Sequence, residues 1–165
     1  MAQRRNPCLR LLAVLASVWL AAGCGFHLQG RYDLPRSFAA VRLEAADTQT
    51  AFCSALRAAL LADGARLDGA PAASATVRVL DDSAAQRVLT VSAHNIPTAY
   101  VLSYRVRLAV EYQGRELMAP EEHLVTREYS FDERTLLAKE RERDTLTQAL
   151  ADDLVGQVMR RLAAL

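Results

Sequence analysis

The clearest pattern in the chain is an alternation of apolar and polar residues from Tyr100 to Tyr112. A period of two is typical of a β-strand that buries one face. Gln113 and Gly114 follow directly and predict a tight hairpin turn, so the chain should return through a strand over residues 117–131. Pro120 lies within that returning strand and predicts a bulge or an edge position, because proline cannot donate a hydrogen bond to the ladder.

Shorter alternations predict two earlier strands. In residues 39–45, apolar residues alternate with an arginine and a glutamate, which predicts the first strand. Residues 75–80 predict the second strand. It should break or bulge over residues 81–85 and resume over residues 87–91.

Two segments have the periodicity of helices. The first spans residues 51–63 and ends at Gly64, with Asp47 or Thr48 as the expected N-cap. The second is a long final helix over residues 135–165, in which apolar residues recur every four positions. These residues are Leu146, Leu150, Leu154, Val158 and Leu162.

The predicted elements follow the order β-α-β-β-β-α within a single domain, residues 38–165. Each helix has one apolar stripe, and the strands share one apolar face. We therefore expect an α+β fold, a two-layer sandwich with both helices packed on one face of a four-stranded sheet. The helical crossover makes the first two strands parallel if they are neighbours, whereas the hairpin makes the last two antiparallel. The sheet is predicted to be mixed.

Two segments precede this domain. Residues 1–23 combine arginines with a mainly apolar run from Leu11 to Ala22, the pattern of a secretory signal peptide. Small residues then lead into Cys24, and this sequence resembles the lipobox of bacterial lipoproteins. The resemblance implies an S-diacylglycerol and an N-acyl chain such as palmitate on Cys24, and residues 24–37 would form the lipidated tether. Gly25 stands where aspartate would favour inner-membrane retention, which implies the outer membrane.

The composition limits the class of protein further. The 165 residues include 20 basic and 19 acidic ones, so the net charge does not indicate nucleic-acid binding. Hydrophobic residues make up 52% of the chain, more than a disordered segment carries. Cys8 lies in the signal segment and Cys24 is expected to carry lipid, which leaves Cys53 without a disulfide partner. Stability should therefore come from an apolar core.

No sequence motif indicates catalysis. His27, His94 and His123 lie far apart, and none has a neighbour at metal-ligand spacing. The chain lacks a nucleophile-elbow serine and the glycine-rich loops that bind nucleotides. We therefore expect neither an enzyme nor any cofactor besides the covalent lipid on Cys24.

Two short motifs carry a family resemblance. Residues 24–30 read CGFHLQG and are followed by Leu34 and Pro35, and residues 137–140 read LAKE. With the predicted order of elements, they resemble the lipopolysaccharide-assembly lipoprotein family LptE, although Gln29 stands where that family often has arginine. The resemblance implies a lipid-anchored protein on the periplasmic side of the outer membrane. Such a protein plugs the LptD β-barrel translocon, helps it to fold, and takes part in placing lipopolysaccharide in the outer leaflet.

Basic residues provide candidate contacts for these partners. Lys139 is the only lysine and lies in the second motif. Arginine can bind phosphate through two parallel hydrogen bonds, and lipid A carries phosphates. Strand alternation places four arginines on the face away from the helices. They are Arg42, Arg78, Arg105 and Arg107. These five residues are candidate contacts with lipopolysaccharide or the barrel; the alternative is an ordinary solvated face on which Glu44 and Glu111 balance the arginines.

A second functional hypothesis is a lipoprotein binding module of another kind, either an envelope tether or a carrier for a small amphiphile. A carrier predicts a lipid-sized apolar cavity between the sheet and the helices. The barrel-plugging hypothesis predicts a filled core and partner contacts on the outer surface.

Overall fold

A computed structural model of the chain describes residues 32–67, 75–130 and 136–165, except for the side chains of residues 136–140. The predicted signal peptide, Cys24 and the Lys139 side chain lie outside this description. A single 3-10 turn, Arg36–Phe38, leads into the fold. The strands are β1 (Ala40–Ala45), β2 (Arg66–Leu67), β3 (Ala75–Val91), β4 (Pro97–Tyr112) and β5 (Arg115–Ser130), and the helices are α1 (Ala51–Ala62) and α2 (Leu136–Ala163).

The described strands form one mixed sheet in the order β2-β1-β3-β4-β5. β1 runs parallel to β2 and β3, whereas β3, β4 and β5 are antiparallel neighbours. The α+β class and the mixed sheet are confirmed. The expected number of strands is too low by one, because β2 has two residues and is too short to show a periodicity. It pairs with Ala40 and Val41 directly after the turn at Gly64.

The hairpin of β4 and β5 forms as the sequence predicted. Gln113 and Gly114 have φ angles of +52° and +76°, and a type I′ turn requires positive φ at both central positions. The pairing register shifts between Leu108 and Val110 of β4, opposite Pro120. Pro120 therefore lies in a bulge and on an edge strand, where its missing N–H costs no ladder hydrogen bond.

β3 is one continuous strand that contains a bulge. A register shift between Val79 and Asp81 leaves Leu80 without a partner on β4, and regular pairing resumes from Asp81 to Val88 before the register shifts again at Leu89 and Thr98. The disturbance expected over residues 81–85 is thus a one-residue bulge immediately before them.

The first helix ends as predicted but has a different N-cap. The Thr50 hydroxyl accepts a hydrogen bond from the Cys53 N–H at 3.1 Å, which identifies Thr50 as the cap. Asp47 instead accepts the Gln49 N–H at 2.8 Å and stabilises the preceding turn. The prediction of Asp47 or Thr48 is wrong because three residues able to cap a helix occur within four positions.

Both helices pack against the same face of the sheet, as predicted. Arg127 of β5 turns towards the helices and pairs with Asp153 of α2, with 3.1 Å between Nη2 and Oδ2. One cluster of buried side chains joins the two helices to β1, β3 and β4. Its fully buried members include Phe52, Leu56 and Leu60 of α1, Leu150, Leu154 and Leu162 of α2, and Val106 and Leu108 of β4.

Candidate partner-binding surfaces

The sheet face opposite the helices carries the four arginines that strand alternation predicted. Their neighbours along each strand, such as Val77, Val106 and Leu108, are completely buried in the core. The arginines therefore point the other way, and their side chains are at least partly exposed. The structure thus brings Arg42, Arg78, Arg105 and Arg107 onto one surface.

Two of these arginines belong to a chain of ion pairs around β1. Arg78 contacts Glu111 at 3.0 Å and Glu44 at 3.5 Å, and Arg42 lies 4.0 Å from the other oxygen of Glu44. These are the acidic residues that the solvated-face interpretation required. In this half of the sheet, positive and negative side chains therefore balance.

The other two arginines differ from each other. Arg105 Nε lies 3.1 Å from Asp81 Oδ2. Arg107 is exposed, and no carboxylate among the described residues lies within ion-pair distance of it. Its cross-strand neighbours are Asp81 and Glu122, but neither pairs with it. Of the four, Arg107 is the arginine whose guanidinium is most available for an external anion.

A shallow groove runs across the distal half of the sheet, by which we mean the part of β3, β4 and β5 between the Leu80 bulge and the turn at residues 92–96. Its volume is about 320 Å³. Arg87 and Arg105 flank it, and Val101 and Leu124 provide apolar surface. Ser83, Ser103 and Thr126 add hydroxyl groups. The groove is amphipathic and open, and its charged lining residues are Arg87, Arg105 and Glu122.

The end of the β3–β4 hairpin exposes an apolar cluster that the sequence analysis missed. We call this cluster the hairpin tip; it consists of Val88, Leu89, Val91 and Ile96, which are between 38% and 51% exposed. The sequence contains a signal for it, since no Asp, Glu, Lys or Arg occurs between Arg87 and Arg105. Exposed apolar clusters of this kind usually mark contact surfaces.

A buried polar cluster attaches α1 to the sheet. Asp82 accepts hydrogen bonds from the Thr50 hydroxyl and, at 2.8 Å, from the Tyr104 hydroxyl. Cys53 is completely buried beside them, with Sγ 3.6 Å from Asp82 Oδ2. Burial raises the pKa of the Cys53 thiol, and the nearby Asp82 charge adds to the effect. A buried, protonated thiol is a poor nucleophile, so the cluster supports the fold and not a reaction.

Among the described residues, no group of three or more His, Cys, Asp or Glu side chains is arranged to hold a metal ion. No helix in the same part of the chain has the length and apolar character needed to cross a membrane.

Comparison with known sequences connects this domain to one family. A family model described as LptE, Lipopolysaccharide-assembly, matches residues 38–162. The chain is 28% identical over 160 residues to the LPS-assembly lipoprotein LptE of Yersinia enterocolitica serotype O:8. The aligned region covers 96% of this chain and 76% of that protein. It is 27% identical over 164 residues to the protein of the same name from Yersinia pestis strain Pestoides F, with the same coverage.

Solved structures share the fold. Uncharacterized lipoprotein B from Nitrosomonas europaea superposes with a TM-score of 0.69 at 25% identity, over 85% of this chain and 91% of that one. Rare lipoprotein B from Shewanella oneidensis gives a TM-score of 0.68 at 24% identity, over 76% of this chain and 94% of that one. The sandwich of two helices on a mixed sheet is therefore a known lipoprotein fold.

Proposed function

The chain belongs to the lipopolysaccharide-assembly family LptE, and from this premise we propose that it is an outer-membrane lipoprotein that plugs an LptD-type β-barrel translocon and assists its assembly. It takes part in transporting lipopolysaccharide to the outer leaflet and inserting it there, without catalytic turnover of its own. The observation that carries the proposal is the family match over residues 38–162, which include α1, all the described strands and all of α2 except its last residue.

The proposal places the covalent lipid on Cys24 and the folded domain on the periplasmic side of the outer membrane. Small residues directly before Cys24 support this assignment. One myristoyl chain binds a membrane only marginally, whereas several acyl chains on one cysteine anchor a protein stably. Replacing Cys24 with alanine should abolish palmitate labelling and release the domain from the membrane. Persistent labelling of that variant would exclude Cys24 as the site.

We assign the partner contacts to the distal half of the sheet and to Lys139. Arg107 has a free guanidinium among the described residues, and the hairpin tip offers apolar surface to the barrel wall. Arg105 lies between them and could exchange Asp81 for a phosphate. Arg42 and Arg78 remain candidates, but each would have to give up an existing ion pair with Glu44 before binding an anion.

The carrier hypothesis fits the core less well. It requires a lipid-sized apolar cavity between the sheet and the helices. Tyr104, Leu150 and Leu154 lie in this space, and each is 3% exposed or less. Their side chains fill that space. The groove of about 320 Å³ lies on the opposite, helix-free face and is lined by polar and apolar groups together. A filled core with contacts on the outside suits a plug better than a carrier.

Affinity isolation tests the proposal directly. The tagged full chain is extracted from outer membranes in mild detergent, and the proteins bound to it are identified by mass spectrometry. We expect an LptD-type barrel in an amount similar to the tagged chain. The matched control keeps residues 1–31 but carries an unrelated periplasmic domain, so it shares the anchor and lacks the plug. If the barrel is absent from repeated isolations, or equally abundant with the control, the proposal is wrong.

A further inference from the structure

Residues 32–38, which we name the N-terminal strap, are attached to the end of α1 by one carboxylate. The Tyr32 N–H donates to Asp63 Oδ1 at 2.8 Å, and the Leu34 N–H donates to Asp63 Oδ2 at 3.3 Å. Asp33, between them, has a φ of +47°. This left-handed conformation bends the chain so that both N–H groups converge on the same side chain. One residue thus holds two backbone donors of a segment that lies far from it in sequence.

The end of α1 fixes the position of that carboxylate. The Asp63 N–H donates to the carbonyl oxygen of Ala59 at 3.0 Å. Gly64 has a φ of +91° and terminates the helix, and the Ala65 N–H then donates to the carbonyl oxygen of Leu60. Because this is a regular glycine-terminated helix end, the Asp63 side chain is held on a rigid element.

The strap also contacts the second helix. A Cβ atom on Gly156 of α2 would lie 3.6 Å from the Tyr32 hydroxyl oxygen and 3.4 Å from an Arg160 guanidinium nitrogen. The Tyr32 hydroxyl therefore lies within van der Waals distance of this position of α2. At the other end of the strap, Phe38 is 1% exposed. The strap is thus held by α1, by α2 and by the core.

We infer that Asp63 is a positioning residue that fixes where the N-terminal segment leaves the domain, and so limits the distance between the domain and the bilayer. This inference rests on the proposed lipid on Cys24. Eight residues lead from Cys24 to Tyr32, and they span at most about 29 Å when fully extended. If the strap detached back to Phe38, the fourteen residues from Cys24 would span at most about 50 Å.

A short connection has a consequence for binding. It confines the domain to a thin layer next to the membrane and so raises its effective concentration towards a partner in the same bilayer. Releasing the strap should therefore lower the yield of the membrane complex while the domain stays folded.

Hydrogen exchange tests the attachment itself. In the wild type, the amides of Tyr32 and Leu34 should exchange slowly, because both are bonded to Asp63. Asp63→Ala should speed their exchange at least tenfold without changing exchange in β4. Gly156→Leu should have the same effect from the side of α2, by displacing Tyr32. Asp153→Ala is the matched control, since it removes a helix-side carboxylate that pairs with Arg127 and forms no hydrogen bond with the described strap residues.

Neutron reflectometry on supported bilayers tests the consequence. The acylated wild-type chain should form a compact protein layer, and Asp63→Ala should extend that layer by up to about 20 Å, the difference between the two tether lengths. Asp153→Ala should leave the layer unchanged. If Asp63→Ala does not fold, Gly156→Leu provides the same measurement.

The outcomes separate this inference from the proposed function. Unchanged strap exchange in both Asp63→Ala and Gly156→Leu overturns the attachment by Asp63, and unchanged layer thickness with a released strap overturns its role in positioning. Both results leave the lipid anchor intact. If the wild type does not bind the bilayer, or if Cys24→Ala binds equally well, the anchor itself is wrong and the positioning role fails with it.

Discussion

At the scale of single residues, the arginines of the helix-free face differ in what they already bind. Arg42 and Arg78 belong to a chain of ion pairs with Glu44 and Glu111. Exposed pairs of this kind contribute little to stability, typically about 0–1 kcal/mol, but they occupy the guanidinium groups. Arg107 is free of such pairs among the described residues. Strand alternation predicted which face each arginine lies on, and Glu44 and Glu111 were expected to balance the arginines. It could not predict that Arg105 pairs with Asp81, because that contact depends on the register between β3 and β4.

This difference predicts the behaviour of two matched double variants. Arg105→Gln with Arg107→Gln should weaken lipopolysaccharide binding at least tenfold, because even one lost hydrogen bond to a charged group costs about 1.5–3 kcal/mol and about 1.4 kcal/mol corresponds to a factor of ten. Arg42→Gln with Arg78→Gln should bind almost as well as the wild type. Calorimetric titration with lipid A and with dephosphorylated lipid A measures both, and the loss should appear only with the phosphorylated form. Equal losses in the two double variants would contradict the assignment.

The buried hydroxyl of Tyr104 predicts a loss of stability. Tyr104→Phe leaves Asp82 without one donor and the Phe52 N–H without its acceptor. An unsatisfied buried group costs about 1–3 kcal/mol, so the free energy of unfolding in urea should fall by about that amount. Tyr112→Phe is the control, because the Tyr112 hydroxyl bonds only the exposed Gln113 side chain among the described residues. A Tyr104→Phe protein as stable as the wild type would show that the cluster is not needed.

The buried thiol predicts how stability depends on pH. Burial raises the pKa of Cys53 above its ordinary value of 9.0, so the unfolded chain releases this proton at a lower pH than the folded chain does. The stabilisation is therefore complete below pH 9 and is lost as the pH rises above it. Urea unfolding under reducing conditions should show a shallower decline between about pH 9 and 10 in Cys53→Ala than in the wild type. Parallel pH profiles would contradict this origin of the decline.

At the scale of secondary-structure elements, the sequence predicts those features that depend on the local pattern of residues. The alternation of β4, the turn at Gln113 and Gly114 and the bulge at Pro120 all follow from local backbone chemistry, and all are confirmed. The two residues of β2 carry no period, and their pairing with β1 depends on where α1 ends. The hairpin tip was not predicted because it contains no motif. Its signal in the sequence is the absence of charged residues between Arg87 and Arg105.

Charged substitutions in the hairpin tip should weaken its contact with the barrel. Val91→Asp with Ile96→Asp should reduce the amount of barrel isolated with the tagged chain several-fold, because each charge would have to be desolvated in an apolar contact. Thermal stability should hardly change, since both residues are exposed. Leu61→Asp on α1 is the matched control, because Leu61 is 53% exposed and Val91 is 51% exposed. Barrel recovery that is equal in the tip variant and the control would exclude the tip as a contact surface.

At the scale of the whole molecule, the chain combines a predicted lipid anchor with a domain whose interior is filled. The core joins α1, α2 and the sheet into one packed unit, and the groove, the arginines and the hairpin tip all lie on its outside. The family match extends over nearly the whole of this domain. These features together support a protein that works by occupying space and offering a surface to a partner, with the N-terminal strap setting its position.

Depletion of the chain in its host is the most direct test of this account. Lipopolysaccharide at the cell surface and folded LptD-type barrel in the outer membrane would be quantified as the protein is lost. We expect both quantities to fall together. Expression of the full chain should restore them, whereas a variant that carries all four substitutions should not. The substitutions are Arg105→Gln, Arg107→Gln, Val91→Asp and Ile96→Asp. Normal surface lipopolysaccharide and normal barrel levels after complete depletion would contradict the account.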